Sequence, residues 1–259
     1  MNLKLLFINL FVLSSLTIYS QQWKLYRYDV SGGLGTANYF GNIGGSTTEK
    51  NYLGLADFKF LETRPSLNLG IGYKLKKEMK VKLNLNYGYF VGTDVGTFRE
   101  SEVGHNYSFH TSLFELSGQY EYYFLTEDRR RRSSAMVRRR GQINNFMQFA
   151  AYGFAGAGGI YFIPDVKQND NLPTLPGRTV KSGTGLYSIA FPIGLGVKMS
   201  INRKWNVGYE LGGRWTLTRY IDGLSTNATR HNDIYYFGTF NITYKIRTSR
   251  KGYPMFLRR

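Results

Sequence analysis

Cysteine is absent from all 259 residues. That excludes disulfides, thiolate metal sites and a mature lipoprotein, whose acylated first residue must be Cys. Long apolar runs are missing beyond the amino-terminal stretch, so no helix in the rest of the chain can span a bilayer. Proline is scarce, at six residues, and acidic side chains are few, 17 against 34 basic ones, for a formal charge of +17. Such a charge alone is compatible with nucleic acid, an anionic membrane or an acidic partner.

What is present narrows this. Lys4 followed by the apolar run Leu5–Leu16 reads as a secretory signal, with Ser20 as the small residue before a cut at Gln21. Ile18 departs from the small residue preferred two places earlier. A membrane anchor is the competing reading, but the run is short for one. Residues 1–20 are therefore expected to be removed, and export argues against a nucleic-acid partner. Tyr and Phe total 39 and Gly 30, with modest overall hydrophobicity. That combination suits a barrel with an apolar, aromatic lipid face and a polar or small-residue lumen.

Period-two alternation decides the class. It runs through eight segments: Tyr26–Gly35, Ser66–Lys74, Met79–Tyr89, Phe114–Phe124, Tyr152–Phe162, Ser188–Ser200, Trp205–Leu217 and Tyr236–Arg247. The third is the clearest, with Met79, Val81, Leu83, Leu85, Tyr87 and Tyr89 on one face and Lys80, Lys82, Asn84, Asn86 and Gly88 on the other. The fifth is rich in Gly and Ala, with Tyr152, Phe154, Ile160 and Phe162 grouped as its apolar face against Gly153, Ala155, Ala157 and Gly159. A soluble sandwich would load its polar face with long charged side chains. Here that face is mostly Gly, Ser and Asn, which fit the crowded interior of a narrow barrel. Aromatics near strand ends, including Tyr73, Tyr89, Phe124, Trp205, Trp215 and Tyr244, resemble two interfacial girdles. The reading is an all-β, eight-stranded antiparallel transmembrane up-and-down barrel over residues 21–247 with a filled lumen, followed by a basic tail, 248–259.

Connections alternate in length. Leu75–Glu78 and Ile201–Lys204 are short; Phe40–Thr63, Val91–His105, Pro164–Gly183 and Thr218–Asp233 are long. Bacterial outer-membrane barrels have short periplasmic turns and long external loops, so the first strand runs outward and both termini lie in the periplasm. The connection after strand four breaks the pattern. It is periplasmic by order, yet runs from about Thr126 to Asn144 and holds Arg129, Arg130, Arg131, Arg132, Arg138, Arg139 and Arg140. Two readings stand: a solvated basic turn, or a docking surface for an acidic periplasmic partner, because Arg binds carboxylates and phosphates in bidentate fashion. The tail adds Arg250, Lys251, Tyr253 and Phe256 to the docking set.

Lumen charges fall at two levels: Arg27, Asp29, Lys80, Lys82, Glu121 and Lys245 near the inner mouth, and Glu115, Glu210 and Arg214 nearer the middle. A paired plug is favoured over an ion path because both signs occur at each level. The three histidines, His105, His110 and His231, fit no metal spacing, and no Gly-x-Ser-x-Gly elbow is present. No catalytic, cofactor or metal site is expected.

The opening Trp23–Gly41, with Asn42 following to complete Tyr39-Phe40-Gly41-Asn42, resembles that of small PorG-like barrels of Bacteroidota. The passages Arg138–Pro164 and Phe191–Thr226 and the tail Arg247–Phe256 are similar too. The resemblance implies an eight-stranded outer-membrane barrel of the type IX secretion and gliding machinery. The implied partners are the outer-membrane lipid and the periplasmic ring, a lipoprotein and its companion, with no small-molecule substrate. It carries no motif for contact residues. A small porin-like or ligand-binding barrel acting through its external loops is the alternative, and a rim-active enzyme the third possibility.

Overall fold

The computed structural model describes residues 22–40, 63–93, 107–127, 148–168, 178–226, 232–249 and 252–255. A short 3-10 turn, Gln22–Leu25, precedes ten strands: β1 Tyr28–Phe40, β2 Arg64–Lys74, β3 Met79–Thr93, β4 Tyr107–Leu125, β5 Gln148–Gln168, β6 Arg178–Val180, β7 Leu186–Ser200, β8 Trp205–Thr216, β9 Leu224–Thr226 and β10 Ile234–Ile246. Eight of them close a barrel in the order β1-β10-β8-β7-β5-β4-β3-β2, and β6 pairs with β9 as a separate ribbon. Every barrel pairing is antiparallel. The seam pairs Tyr28 with Ile246, so the chain enters and leaves at one mouth. The turns 75–78 and 201–204 lie at that terminal mouth as well.

The wall is inside-out relative to a water-soluble protein. Along β7, Ile189, Phe191, Ile193, Leu195 and Val197 are exposed, while Ala190, Pro192, Gly196, Lys198 and Ser200 are buried. From Ile189 to Met199 is about 33 Å along the strand and, at the usual ~40° tilt, about 25 Å along the axis, the height of a barrel's lipid-facing band. Lipid covers such a belt, and the closed wall leaves no unpaired strand edge within it. Tyr28–Tyr73 and Trp205–Tyr244 ring pairs, with centroids 4.9 and 4.8 Å apart, mark the terminal-mouth edge of the belt, and Tyr87–Phe114 and Tyr161–Tyr187 its far edge.

The strand phases follow the alternation except at β5. There Tyr152, Phe154, Ile160 and Phe162 are buried in the lumen, and Ala155, Ala157 and Gly159 face lipid. Pairing sets this phase: β5 aligns Phe154 with Glu121 and Ile160 with Glu115, and both glutamates point inward. The lipid face of β5 is thus small, between the large outward side chains Leu116 and Tyr120 of β4 and Ile193 and Leu195 of β7.

The strands also outrun the alternation read from sequence. β3 continues to Thr93, β4 begins at Tyr107 and β5 ends at Gln168. The physical reason is an apolar layer in the outer half of the lumen, where Phe90, Tyr107, Phe109, Leu113, Ile160, Phe162, Tyr235 and Phe237 are buried together. Each such side chain, fully buried, stabilises by about 1.5–3 kcal/mol. The segment between β8 and β9 does not extend outward as an open loop but caps this layer. Ile221 is fully buried; its carbonyl accepts from Thr111 Oγ1 at 2.6 Å and its N–H donates to the Asp233 carboxylate at 2.9 Å. Gly223, at φ +72°, lets the cap turn where a Cβ would strike the Lys181 carbonyl and Val166.

Candidate functional site

Below the apolar layer the lumen is ionic. Among the described residues, Lys80, Lys82, Lys198, Arg214 and Lys245 face Asp29, Glu115, Glu121, Glu210 and Glu127: five cations and five carboxylates. Lys80 reaches Asp29 at 2.9 Å and Glu121 at 3.6 Å; Lys198 reaches Glu121 at 3.3 Å. Lys82 donates to both Glu210 oxygens at 2.8 and 3.1 Å. Higher up, Arg214 lies 3.5 Å from Glu115, which also accepts from Tyr235 at 2.7 Å, Asn86 at 2.9 Å and Ser117 at 2.8 Å. Tyr123 and Tyr152 complete the middle, donating to Glu121 and Glu210 at 2.6 Å each. The glycines of β2 make room for these long side chains. A Cβ added at Gly72 would overlap both Lys80 and Asp29.

Eight of the nine lumen charges expected from sequence therefore meet in this network, and Arg27 does not. Its guanidinium donates to Tyr73 at 3.1 Å and stacks over Trp23 at 5.1 Å, on the rim. Two members went unrecognised in the sequence. Lys198 stands on the lumen face of β7, where alternation alone could have nominated it. Glu127 carries no such signal, because it follows the end of β4 in a connection with no period. Burial acts to raise its carboxyl, but Lys245, Lys74 and Lys198 together outweigh burial and hold it at about 2. Its carboxylate accepts from Lys245 of β10, from Asn206 of β8 at 2.8 Å and from Ser200 of β7 at 3.3 Å. The start of the Arg-rich connection is thereby drawn across the terminal mouth.

The network is electrically neutral, so the excess charge lies elsewhere. Setting aside the paired Glu127, the stretches of sequence that connect or continue the strand ends of the terminal mouth (22–27, 74–78, 126–147, 201–204 and 247–259) carry 19 basic and two acidic residues. The stretches that connect the strand ends of the far mouth (40–64, 94–106, 165–185 and 217–233) carry nine basic and ten acidic. Arg129–Arg132 and Arg138–Arg140 lie outside the described residues, as do Arg250, Lys251 and Phe256, the residues of the signal segment, His105 and His231. The chain that holds the seven arginines leaves β4 and enters β5 at the terminal mouth.

His110 is the one histidine within the described residues. Its Nε2 lies 2.9 Å from Asp165, whose other oxygen accepts from Ser182 Oγ at 3.1 Å, all on the exposed far rim. The carboxylate stands between Ser and His, so the imidazole does not touch the hydroxyl. That is the reverse of a nucleophile–base–orienter order. Among the described residues no cluster of three or more His, Asp or Glu could hold a metal ion.

No family model matches the chain, and no curated protein matches it. Among solved structures it is similar to the N-terminal β-barrel domain of Pseudomonas aeruginosa OprF, 12% identical over 85% of this chain and 97% of that one, TM-score 0.39. It is likewise similar to Neisserial surface protein A, at 9% identity over 84% and 96% with TM-score 0.40. For Ail, the attachment invasion locus protein of Yersinia pestis, the values are 10%, 85%, 97% and 0.38. The assignment of a transmembrane eight-stranded barrel rests on the closed strand pairing and the apolar belt.

Proposed function

We propose that this chain is a non-enzymatic outer-membrane subunit of a type IX protein secretion and gliding apparatus, whose barrel is a mount and whose terminal mouth docks acidic periplasmic components. The observation that carries the reading is the partition of charge along the sequence: a neutral lumen, balanced connections at the far mouth, and 19 basic against two acidic residues in the stretches that connect or continue the strand ends of the terminal mouth. Short turns and both chain ends at that mouth match the periplasmic side of outer-membrane barrels. Seven arginines in one connection suit bidentate pairing with carboxylates better than lysines would. The resemblance of the opening, middle and tail segments to PorG-like barrels supplies the apparatus.

The test replaces the seven arginines between Arg129 and Arg140 by Gln in the full chain and measures recovery of the periplasmic ring lipoprotein and its companion with the barrel. A loss of about tenfold or more is expected, as several desolvated charge pairs are removed together. Unchanged recovery would reject the docking role. A porin-like function makes a different demand, an open lumen. The apolar layer and the ionic layer both obstruct it, so discrete conductance steps from the purified barrel in planar bilayers would favour that alternative instead.

A further inference from the structure

Beyond β10, residues 247–249 and 252–255 pair with each other. Ser249 N–H donates to the Tyr253 carbonyl at 2.8 Å, Met255 N–H to Arg247 at 2.9 Å, and Gly252 N–H back to Ser249 at 2.9 Å. Gly252 takes φ +89°, the left-handed backbone that closes this turn. Thr248 pairs with Pro254, and its N–H donates to the Leu25 carbonyl at 2.7 Å, tying the hairpin to the amino-terminal turn. Arg27 N–H bonds the Thr248 hydroxyl at 3.1 Å. Thr248 and Pro254 are buried on one face. Tyr253 and Met255, two residues apart, share the opposite face with Arg247 and are 67% and 40% exposed.

We infer that this hairpin is a preformed recognition element that presents Tyr253 and Met255 to an apolar pocket on an acidic periplasmic protein. The inference rests on the docking reading above and names the side chains that would carry it. Three features of the molecule support it. The stretches of sequence joined to the strand ends of this mouth carry the whole basic excess, so the complementary surface is acidic. The hairpin's hydrogen bonds fix the backbone that carries the two side chains before binding, which lowers the ordering cost of docking to a shaped pocket; a lipid surface places no such demand on a basic, aromatic tail. The mode is side-chain reading and not strand addition. In this pairing residues 253 and 255 turn their N–H groups toward the hairpin, so position 254 alone would offer a donor on the outer edge, and it is proline.

The experiment uses the full chain in its own outer membrane with a photo-crosslinking amino acid at position 253. Crosslinked protein is identified by mass spectrometry and its net charge read from its sequence. Recovery of the same protein is then measured for Tyr253→Ser combined with Met255→Ser, for Pro254→Ala, and for the seven-arginine Gln variant. Heat-dependent mobility in detergent gels checks that each barrel is folded. The expected result is a single acidic protein, recovered about tenfold less or lower with the double Ser variant, as for truncated aromatic anchors, and unchanged with Pro254→Ala. Crosslinks only to lipid, a basic partner, full recovery with the double Ser variant, or a gain with Pro254→Ala would each overturn it. Loss in the arginine variant with full recovery in the double Ser variant would overturn this inference alone. Full recovery in both would overturn the docking reading as well.

Discussion

Glu121 is the charge on which the inner lumen turns. It is fully buried and lies 3.3 Å from Lys198 and 3.6 Å from Lys80. At an effective dielectric of about 20, each of those attractions is worth about 5 kcal/mol before desolvation is counted. Glu121→Gln keeps the shape and an acceptor for the Tyr123 hydroxyl, so the change isolates the charge. Lys80 retains Asp29 at 2.9 Å. Lys198 loses its carboxylate partner and keeps the Tyr123 hydroxyl at 3.1 Å and the rings of Tyr152 and Tyr123 at 4.4 and 5.7 Å. Orphaning one member of a buried pair costs about 3–5 kcal/mol, and that is the destabilisation expected here. The assay is reversible urea unfolding in lipid vesicles, followed by tryptophan fluorescence. Adding Lys198→Met removes the orphan and should restore about 2 kcal/mol or more, read as coupling in a double-mutant cycle. A single-variant loss below about 1 kcal/mol, or additive effects in the double variant, would show that the lumen does not exclude water and would refute the filled-plug reading.

Two further predictions concern the ends of the lumen. Phe237 is 1% exposed, its ring 5.8 Å from that of Phe90 and 4.7 Å from the Arg214 guanidinium, so Phe237→Ala should lower unfolding free energy by about 3–5 kcal/mol through the cavity it leaves; a loss under about 1 kcal/mol in the same urea assay would show that the outer layer is loosely packed. Stability should also peak near pH 4, between the ordinary values of two rim carboxyls that act with opposite signs. Glu127, held from 4.5 down to about 2, contributes stability that is present above 4.5 and disappears as pH falls toward 2. Asp233, pushed by burial from 3.8 up to about 7, contributes stability that is complete below 3.8 and is lost as pH rises through 7. Glu127→Gln should remove the acid arm of the profile and Asp233→Asn the neutral arm; an unaltered profile in either variant would refute the corresponding assignment.

How far the sequence disclosed the molecule depends on which face was being read. Alternation reports two faces and their membership, so β3 and β7 could be traced residue by residue. It does not say which face points inward. On most strands the polar face answers that question, since Asn and Lys cannot face lipid. On β5 both faces lack charge over Ala151–Ile163, and the aromatic set was grouped with the lipid-facing residues of other strands; the hydrogen-bonded alignment with Glu121 and Glu115 reverses it. The same limit hid the outer layer. Phe90, Tyr107 and Phe109 are apolar residues at lumen positions, and a rule that expects polar lumens stops the strand short of them. Among the charges, the pairing of Lys82 with Glu210 was not legible, since they are 128 residues apart and meet only when the barrel closes. Nor was Glu127, whose partners come from three strands and whose position follows no period.

The two layers of the lumen bear on what the terminal mouth can do. A charge that moves ions needs space and a partner that changes; here every cation pairs with a carboxylate, and the layer above is packed aromatic. The ionic layer therefore acts on the wall, tying β1, β3, β4, β7, β8 and β10 to one another through side chains as well as through backbone. Glu127 extends that ladder by one step beyond the strands, fixing where the Arg-bearing connection departs, and Thr248 does the same for the tail across the β1–β10 seam. Both segments proposed to dock thus depart from points held by the closed wall. It follows that lumen and mouth should be separable in experiment. Glu121→Gln should weaken the barrel yet leave partner recovery unchanged at temperatures where it stays folded, because its neighbours lie above the Glu127 level. Glu127→Gln should do the opposite, costing less stability at neutral pH and reducing partner recovery, since it frees the departure point of the basic connection. Equal effects of the two variants on recovery would mean that docking depends on overall barrel stability and not on the clasp at its mouth.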